Sequence, residues 1–108
     1  MYIKMDISNY NFSSLDEIRE YIDKLDREIV ILLAKRGECV KQAAQFKTTK
    51  ANIKDLQRLE QVIEKVTSYA KEVDFDPFTI EVIYRHMIDA FIQLEIKAFT
   101  KLKDSKLN

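Results

Sequence analysis

Residues 14–47 read SLDEIREYIDKLDREIVILLAKRGECVKQAAQFK, and their apolar positions recur at spacings of three and four. That is the period of one face of an α-helix. Ser14 followed by Glu17 predicts a capping box, in which Ser14 accepts from the Glu17 N–H and Glu17 reaches back. We predict one helix from about residue 15 to about 47, weakened but not broken by Gly37. The apolar positions are Leu15, Ile18, Ile22, Leu25, Ile29 and Leu32, then Cys39, Val40, Ala43 and Phe46.

Two further helices are predicted after it. Residues 48–52 are poor helix formers and indicate a loop, and the apolar spacing from Leu56 to Val73 predicts a second helix. Asp76-Pro77 predicts a new start, with Asp at the N-cap and Pro at the first helical position, and the third helix runs to about Leu102. One Gly and one Pro in 108 residues favour long helices over a sheet. The predicted fold class is all-α.

The length of the first helix predicts the assembly. A helix of about 33 residues is about 50 Å long, whereas a compact chain of this size has a radius of gyration of about 13 Å. A monomer would leave the apolar face of the first helix in water. We therefore expect an intertwined homodimeric bundle with three helices per chain, one long and two shorter.

Composition restricts the partners and the location. Lys+Arg and Asp+Glu number 18 each, so the net charge is zero and nucleic acid is not the expected partner. The single Cys39 excludes an internal disulfide, and no apolar run approaches the ~20 residues of a membrane span. The first residues lack a signal-peptide pattern. We expect a cytoplasmic protein with no membrane partner, organised as a lead-in (1–13), one helical domain (14–102) and a tail (103–108).

Arg36 interrupts the apolar face of the first helix. Positions 15, 22, 29 and 36 are successive heptad steps, and the same face continues through Val40 and Ala43 to Lys47. Eleven residues bring Lys47 to within about 20° of Arg36 around the helix. The two cations could therefore form an anion pocket with apolar walls. Alternatively, Arg36 reaches out to the helix edge and Lys47 is solvated.

The third helix carries a similar exception. Tyr84, Ile88, Phe91 and Glu95 share one face, so Glu95 continues an apolar pattern. It could pair with a buried cation, be a carboxyl that stays protonated, or lie at the helix edge. His86 has no second ligand at metal-binding spacing, and Cys39 is expected to pack in the core rather than act as a nucleophile. We expect no cofactor and no metal.

Taken in order, these residues resemble the all-helical class of chorismate mutases over residues 14 to about 102. The resemblance is strongest to the branch that contains isochorismate-pyruvate lyase, in which Phe-Lys likewise ends the first helix. It is carried by the ordered set and its spacing across three helices rather than by one short motif. The matching segments are Ile18-Arg19-Glu20, Ile22-Asp23-Lys24-Leu25-Asp26, Leu33-Ala34-Lys35-Arg36, Phe46-Lys47 and Arg58.

The resemblance implies a role for each matching residue. Arg36 would hold one carboxylate of a small dicarboxylate substrate, and Arg19 of the partner subunit would hold the other. Lys47 would bond the ether oxygen whose bond to carbon breaks. Asp55 and Arg58 would line or order the site. Helix geometry independently supports this role of Arg19. It lies 17 residues before Arg36 and about 100° away around the helix, so it cannot easily serve the same pocket in its own chain.

The implied reaction is the rearrangement of chorismate to prephenate, which needs no nucleophile, metal or proton transfer. Two positions depart from the common pattern in opposite directions. Leu59 stands where typical mutases have a Glu that binds the ring hydroxyl, which favours the lyase branch. Glu95 stands where many members have a Gln, and Glu there occurs in some mutases. The predicted function is chorismate mutase, with isochorismate-pyruvate lyase, which makes salicylate and pyruvate, as the alternative.

A third interpretation comes from outside enzymology. A dimeric helical interaction module without activity would show the same heptad pattern. It would not explain why Arg36 lies on the apolar face with Lys47 aligned beyond it.

Overall fold

A computed structural model of the protein describes residues 11–106, and most of the predicted lead-in and the last residues of the tail lie outside this range. The described part contains three α-helices and no strand: α1 (Leu15–Ala43), α2 (Leu56–Glu72) and α3 (Pro77–Lys106). Two short 3₁₀ turns, Ala44–Phe46 and Lys50–Asn52, connect α1 to α2. The predicted all-α class and the three helices are confirmed.

The helix starts follow the local sequence. Ser14 accepts from the Glu17 N–H at 3.1 Å, and Asp55 accepts from the Arg58 N–H at 3.0 Å. Asp76 accepts from both the N–H and the hydroxyl of Thr79, at 3.2 and 2.6 Å. Each cap satisfies an N–H that the first helical turn leaves without an intrahelical partner.

One of the two hydrogen bonds of the predicted capping box at α1, the one that Glu17 accepts, has a different donor. The Glu17 carboxylate accepts from the backbone N–H and the hydroxyl of Ser13, at 2.6 and 2.7 Å, and not from Ser14. Ser13 offers two donors, so the carboxylate gains more there than from one N–H. The hydroxyl of Ser13, with its N–H, lowers the pKa of Glu17.

Helix ends were predicted less well than helix starts. The regular part of α1 ends at Ala43 rather than 47, because its last turn tightens into a 3₁₀ turn through Phe46. The segment predicted as loop contains a second 3₁₀ turn. Helix α3 continues to Lys106, beyond the Leu102 at which the apolar pattern ended. With 30 residues it is as long as α1 with 29, so the prediction of one long and two shorter helices is wrong. Helix α2 ends in a Schellman arrangement, in which Asp74 takes φ 56° and the Phe75 N–H donates to Ala70 O at 2.9 Å.

Helix α3 packs against α2 and against the C-terminal part of α1, where Gly37 is buried. Ala44, Ile53 and Phe99 form one buried cluster. The other buried apolar side chains belong to α2 and α3: Ile63, Val66, Ala70 and Ile88. This core is small for a chain of 108 residues.

The first half of α1 is largely uncovered by the other residues that the structure describes. From residue 15 to residue 32, every residue except Tyr21 is exposed. The molecule measures 60 × 27 × 25 Å with a radius of gyration of 17.7 Å, well above the ~13 Å of a compact chain this long. No helix in the described range is both long enough and apolar enough to cross a membrane.

Candidate active site

A cavity of about 390 Å³ opens where the end of α1, the start of α2 and the middle of α3 meet. Its volume lies in the usual range for a small-molecule site. Seven of the eight residues that the sequence suggested for a site line this cavity. They are Arg36, Val40 and Lys47 from the α1 end, Asp55, Arg58 and Leu59 from the α2 start, and Glu95 from α3.

Arg36 is held against an aromatic ring. Its guanidinium carbon lies 4.6 Å from the centre of the Phe91 ring, which α3 provides. The side chain is half-buried, and no ion pair within residues 11–106 involves it. A guanidinium placed this way keeps its planar fork of N–H donors for a carboxylate.

Lys47 has two partners of its own chain. Its Nζ donates to the backbone oxygen of Asn52 at 3.2 Å and lies 3.6 Å from Oε2 of Glu95. The Asn52 side-chain oxygen in turn accepts from the Thr48 hydroxyl and from the N–H and hydroxyl of Thr49, at 2.7 to 3.1 Å. The turn that follows Lys47 therefore fixes the carbonyl that holds the ammonium.

Glu95 is the only buried charged residue in the described part of the chain, with 9% of its surface exposed. Its Oε2 has no hydrogen-bond partner there, because the ammonium of Lys47 stands too far away for a hydrogen bond and close enough only for an ion pair. A buried oxygen with unused hydrogen-bonding capacity beside a cavity is a natural contact for a ligand atom.

The start of α2 supplies one polar pair and one apolar wall. Asp55 caps the helix, and the cap fixes the backbone of Arg58 at the rim of the cavity. Leu59 and, across the cavity, Val40 are half-buried apolar residues. These two side chains can exclude water from one side of a bound ligand.

Arg19 lies apart from this cavity. It is exposed on the first half of α1, and 17 residues of helix place it about 26 Å along the axis from Arg36. It cannot reach the cavity of its own chain.

Three observations differ from expectation or were missed. Cys39, expected in the core, is exposed at the cavity, because the α1 face it occupies is not covered there. Phe91 was assigned only to an apolar face, although its position one turn before Glu95 was a usable signal. The role of the Asn52 carbonyl had no sequence signal, because any residue carries a backbone carbonyl. His86 is exposed as expected.

The site combines two positioned cations, a buried carboxyl at the cavity wall and apolar walls. No grouping of three His, Cys, Asp or Glu side chains suited to a metal occurs in residues 11–106. Such an arrangement binds and orients a compact anion and stabilises negative charge on it. Fold and site together define a class, the small all-α proteins with a cationic, apolar-walled cavity between helix ends.

The family within that class follows from sequence comparison. The profile of the family chorismate mutase type II matches residues 18–96. The chain belongs to this family, and it is an enzyme of the chorismate mutase type.

Two relatives from bacteria show the range of activities in the family. The isochorismate pyruvate lyase of Pseudomonas aeruginosa is 32% identical over 85 residues, which cover 79% of this chain and 84% of the relative. The bifunctional chorismate mutase/prephenate dehydratase of Aquifex aeolicus is 38% identical over 88 residues, covering 77% of this chain. That match covers only 24% of the Aquifex protein.

Proposed function

We propose that the chain rearranges chorismate to prephenate in the cavity between α1, α2 and α3. The observation that carries this proposal is the placement of Arg36 and Lys47 in one apolar-walled cavity, each held by a partner from another element. In the rearrangement one carbon–oxygen bond breaks while one carbon–carbon bond forms in a single cyclic step. Negative charge grows on the ether oxygen as its bond to carbon lengthens.

The residues of the site divide this work. The Arg36 fork binds one carboxylate of the substrate and holds the enolpyruvyl arm over the ring. The Lys47 ammonium is preorganised by the Asn52 carbonyl and stands where the ether oxygen gains charge. Arg58 adds positive charge at the rim. Val40 and Leu59 keep water away, which strengthens the electrostatic contacts.

Glu95 contributes in one protonation state only. As a carboxylic acid it can donate a hydrogen bond to the ether oxygen, whereas as a carboxylate it would repel the developing charge. Its Oε2 takes part in no hydrogen bond within the described residues and lies 3.6 Å from the Lys47 ammonium, which supports a contact of this carboxyl with a ligand atom beside Lys47.

The alternative activity is that of an isochorismate-pyruvate lyase, which breaks the corresponding ether bond while a ring hydrogen moves to the enolpyruvyl methylene, so that salicylate and pyruvate are released. Leu59 supports it, because an apolar side chain cannot bind the ring hydroxyl that a Glu would bind in typical mutases. The Pseudomonas relative, aligned over 84% of its length, also supports it.

A second copy of the chain completes the proposed site. The exposed apolar residues of α1 need a cover, and burial of apolar surface is what drives such pairing. An intertwined homodimer would cover them and bring Arg19 of the second copy to the cavity, where it would bind the other substrate carboxylate. Location in the cytoplasm stays a prediction of the sequence.

The deciding experiment offers purified protein chorismate and isochorismate in parallel. Loss of chorismate absorbance measures the mutase, and salicylate fluorescence measures the lyase. We expect turnover of chorismate, and the ratio of the two kcat/KM values assigns the physiological reaction. Lys47→Ala serves as the background control. Turnover of both substrates no faster than this control would leave the helical interaction module as the remaining explanation.

A further inference from the structure

The contact between Arg36 and Phe91 differs in kind from those that hold the other charged residues of the site. Lys47 contacts the Asn52 carbonyl and the Glu95 carboxyl. Arg36 is held by the face of a ring, with 4.6 Å between the guanidinium carbon and the ring centre. Two basic side chains in one cavity are therefore held by different interactions, a hydrogen bond and an ion pair for Lys47 and a cation–π contact for Arg36.

A ring face has an advantage for a residue that must bind an anion. The π-face attracts the cation electrostatically, yet it uses none of the N–H donors in the plane of the guanidinium. A carboxylate in the same place would occupy two donors and neutralise the charge before the substrate arrives. The ring thus fixes the direction of the fork and leaves its binding edge free.

Gly37 provides the space for this ring. It is buried in α1 against α3, and a Cβ at this position would lie 3.3 Å from Cε1 of Phe91 and 3.3 Å from Cδ2 of Leu94. Both distances are shorter than an ordinary carbon–carbon contact of about 3.5–4.0 Å. A Cβ here would require the ring and its neighbour to shift by a few tenths of an ångström. Glycine is disfavoured within a helix, so its presence here needs a packing reason of this kind.

We propose that Phe91 is the positioning residue for Arg36 and that Gly37 acts through Phe91 by admitting its ring. The inference rests on the proposed function only in that Arg36 binds a substrate carboxylate. It assigns the orientation of the Arg36 guanidinium to a ring that lines the cavity, Phe91, and to a residue without a side chain, Gly37.

The first test is spectroscopic and needs no substrate. Side-chain Nε–H signals of arginine are recorded by NMR, and the Arg36 signal is assigned by its loss in Arg36→Ala. Ring current should displace this signal in the wild type. Phe91→Leu should remove the displacement, and Phe91→Tyr, which keeps the ring, should retain it. Gly37→Ala should move the signal toward its position in Phe91→Leu.

The second test is kinetic, with whichever substrate the wild type turns over. A cation–π contact of ordinary strength corresponds to about 2- to 30-fold in kcat/KM. We expect a loss in this range for Phe91→Leu and Gly37→Ala, and less than about twofold for Phe91→Tyr. If Gly37 acts through the ring, Gly37→Ala combined with Phe91→Leu should cost little more than Phe91→Leu alone, because contacting residues are not additive.

Leu94→Ala is the matched control, because Leu94 contacts the same space beside Gly37 but does not line the cavity. It should leave the Arg36 signal in place.

An unchanged Arg36 signal and unchanged kcat/KM in Phe91→Leu would overturn the proposal, as would full additivity of the double variant. If Phe91→Leu does not fold, Gly37→Ala and Phe91→Tyr decide by the same signal. If the wild type acts on neither substrate, the proposed function fails while the NMR experiment still decides the positioning role.

Discussion

Lys47 shows how a single residue gains a role from its surroundings. An exposed lysine is a mobile, strongly hydrated charge. Here only 27% of the side chain is exposed, and the ammonium contacts the Asn52 carbonyl and the Glu95 carboxyl. A charge held in advance of the reaction needs no reorganisation when the ether oxygen becomes negative.

Removal of either proposed cation should abolish most of the activity. We expect Arg36→Ala and Lys47→Ala each to lower kcat/KM by about 10²–10³, the usual loss when one preorganised charge partner is removed. Circular dichroism would check that both variants stay folded. Lys41→Ala, on the exposed part of the same helix, is the control and should change kcat/KM by less than about twofold. Near-wild-type rates in both cavity variants would move the site elsewhere.

Glu95→Gln tests the protonation requirement. The amide donates a hydrogen bond at every pH, whereas the carboxyl donates only while it holds its proton. We therefore expect the kcat of Glu95→Gln to equal or exceed that of the wild type under the same conditions. A variant that is inactive at every pH would show that Glu95 serves Lys47 as a structural partner instead.

At the scale of the element, each helix begins where a side-chain oxygen meets the first unpaired N–H groups. Asp76 is the clearest case, since it accepts from two donors of Thr79 and precedes the only proline of the chain. The Thr79 hydroxyl bond is the main cause that lowers the pKa of Asp76 below its ordinary value of 3.8. The cap is therefore strongest in the ionised form.

This lowered pKa predicts an acid-sensitive start of α3. The unfolded chain binds a proton at Asp76 more readily than the folded chain, so this contribution to stability is complete above about pH 3.8 and is lost as pH falls through the lower folded value. Asp76→Asn removes the titration while keeping an N-cap acceptor. Its melting temperature should fall less than that of the wild type on acidification from about pH 6 to about pH 3.

The matched control is Asp104→Asn, at the exposed far end of α3. It should retain the full acid-induced loss in melting temperature. An Asp76→Asn variant as acid-sensitive as the wild type would show that the cap bonds of Asp76 do not persist in solution.

At the scale of the whole molecule, much apolar surface stays exposed among the residues that the structure describes. The first half of α1 is exposed, with Leu15, Ile29 and Leu32 each at least half accessible. The longest dimension of the molecule, 60 Å, exceeds what the small core between α2 and α3 requires. A second copy that packs along α1 would cover these residues, which is the physical basis of the proposed dimer.

Subunit complementation tests the dimer and the shared site together. Sedimentation should first show about twice the chain mass of 12.8 kDa. Arg19→Ala and Arg36→Ala, each inactive alone, should regain activity when their subunits are exchanged, because each mixed dimer then contains one site with both arginines. A mixture of Arg36→Ala and Lys47→Ala should not recover, since both residues belong to the same chain's cavity. If the mixture of Arg19→Ala and Arg36→Ala regains no activity after subunit exchange has been confirmed, Arg19 has no role in the partner's site.

The helices could be read from residues 14–102 because the forces that form them are local. Caps such as Ser14 and Asp76, and an apolar period of 3.6, act within a few residues of each other. That Arg36 and Lys47 line one cavity was also predicted, although from too regular a helix, because α1 ends at Ala43 and Lys47 follows a 3₁₀ turn in extended backbone. The ends of α1 and α3 were not, since the last turns depend on what the neighbouring elements cover.

The rest of the site depends on contacts between elements that are distant in sequence. The ring of Phe91 beneath Arg36, the burial of Glu95 beside Lys47 and the space at Gly37 exist only because α3 packs against α1. The carbonyl of Asn52 depends on the path of a turn, and a backbone group carries no residue-specific signal. Periodicity shows which side of a helix is apolar, but the distances across a helix pair are set by packing, and the chemistry of this cavity lies in those distances.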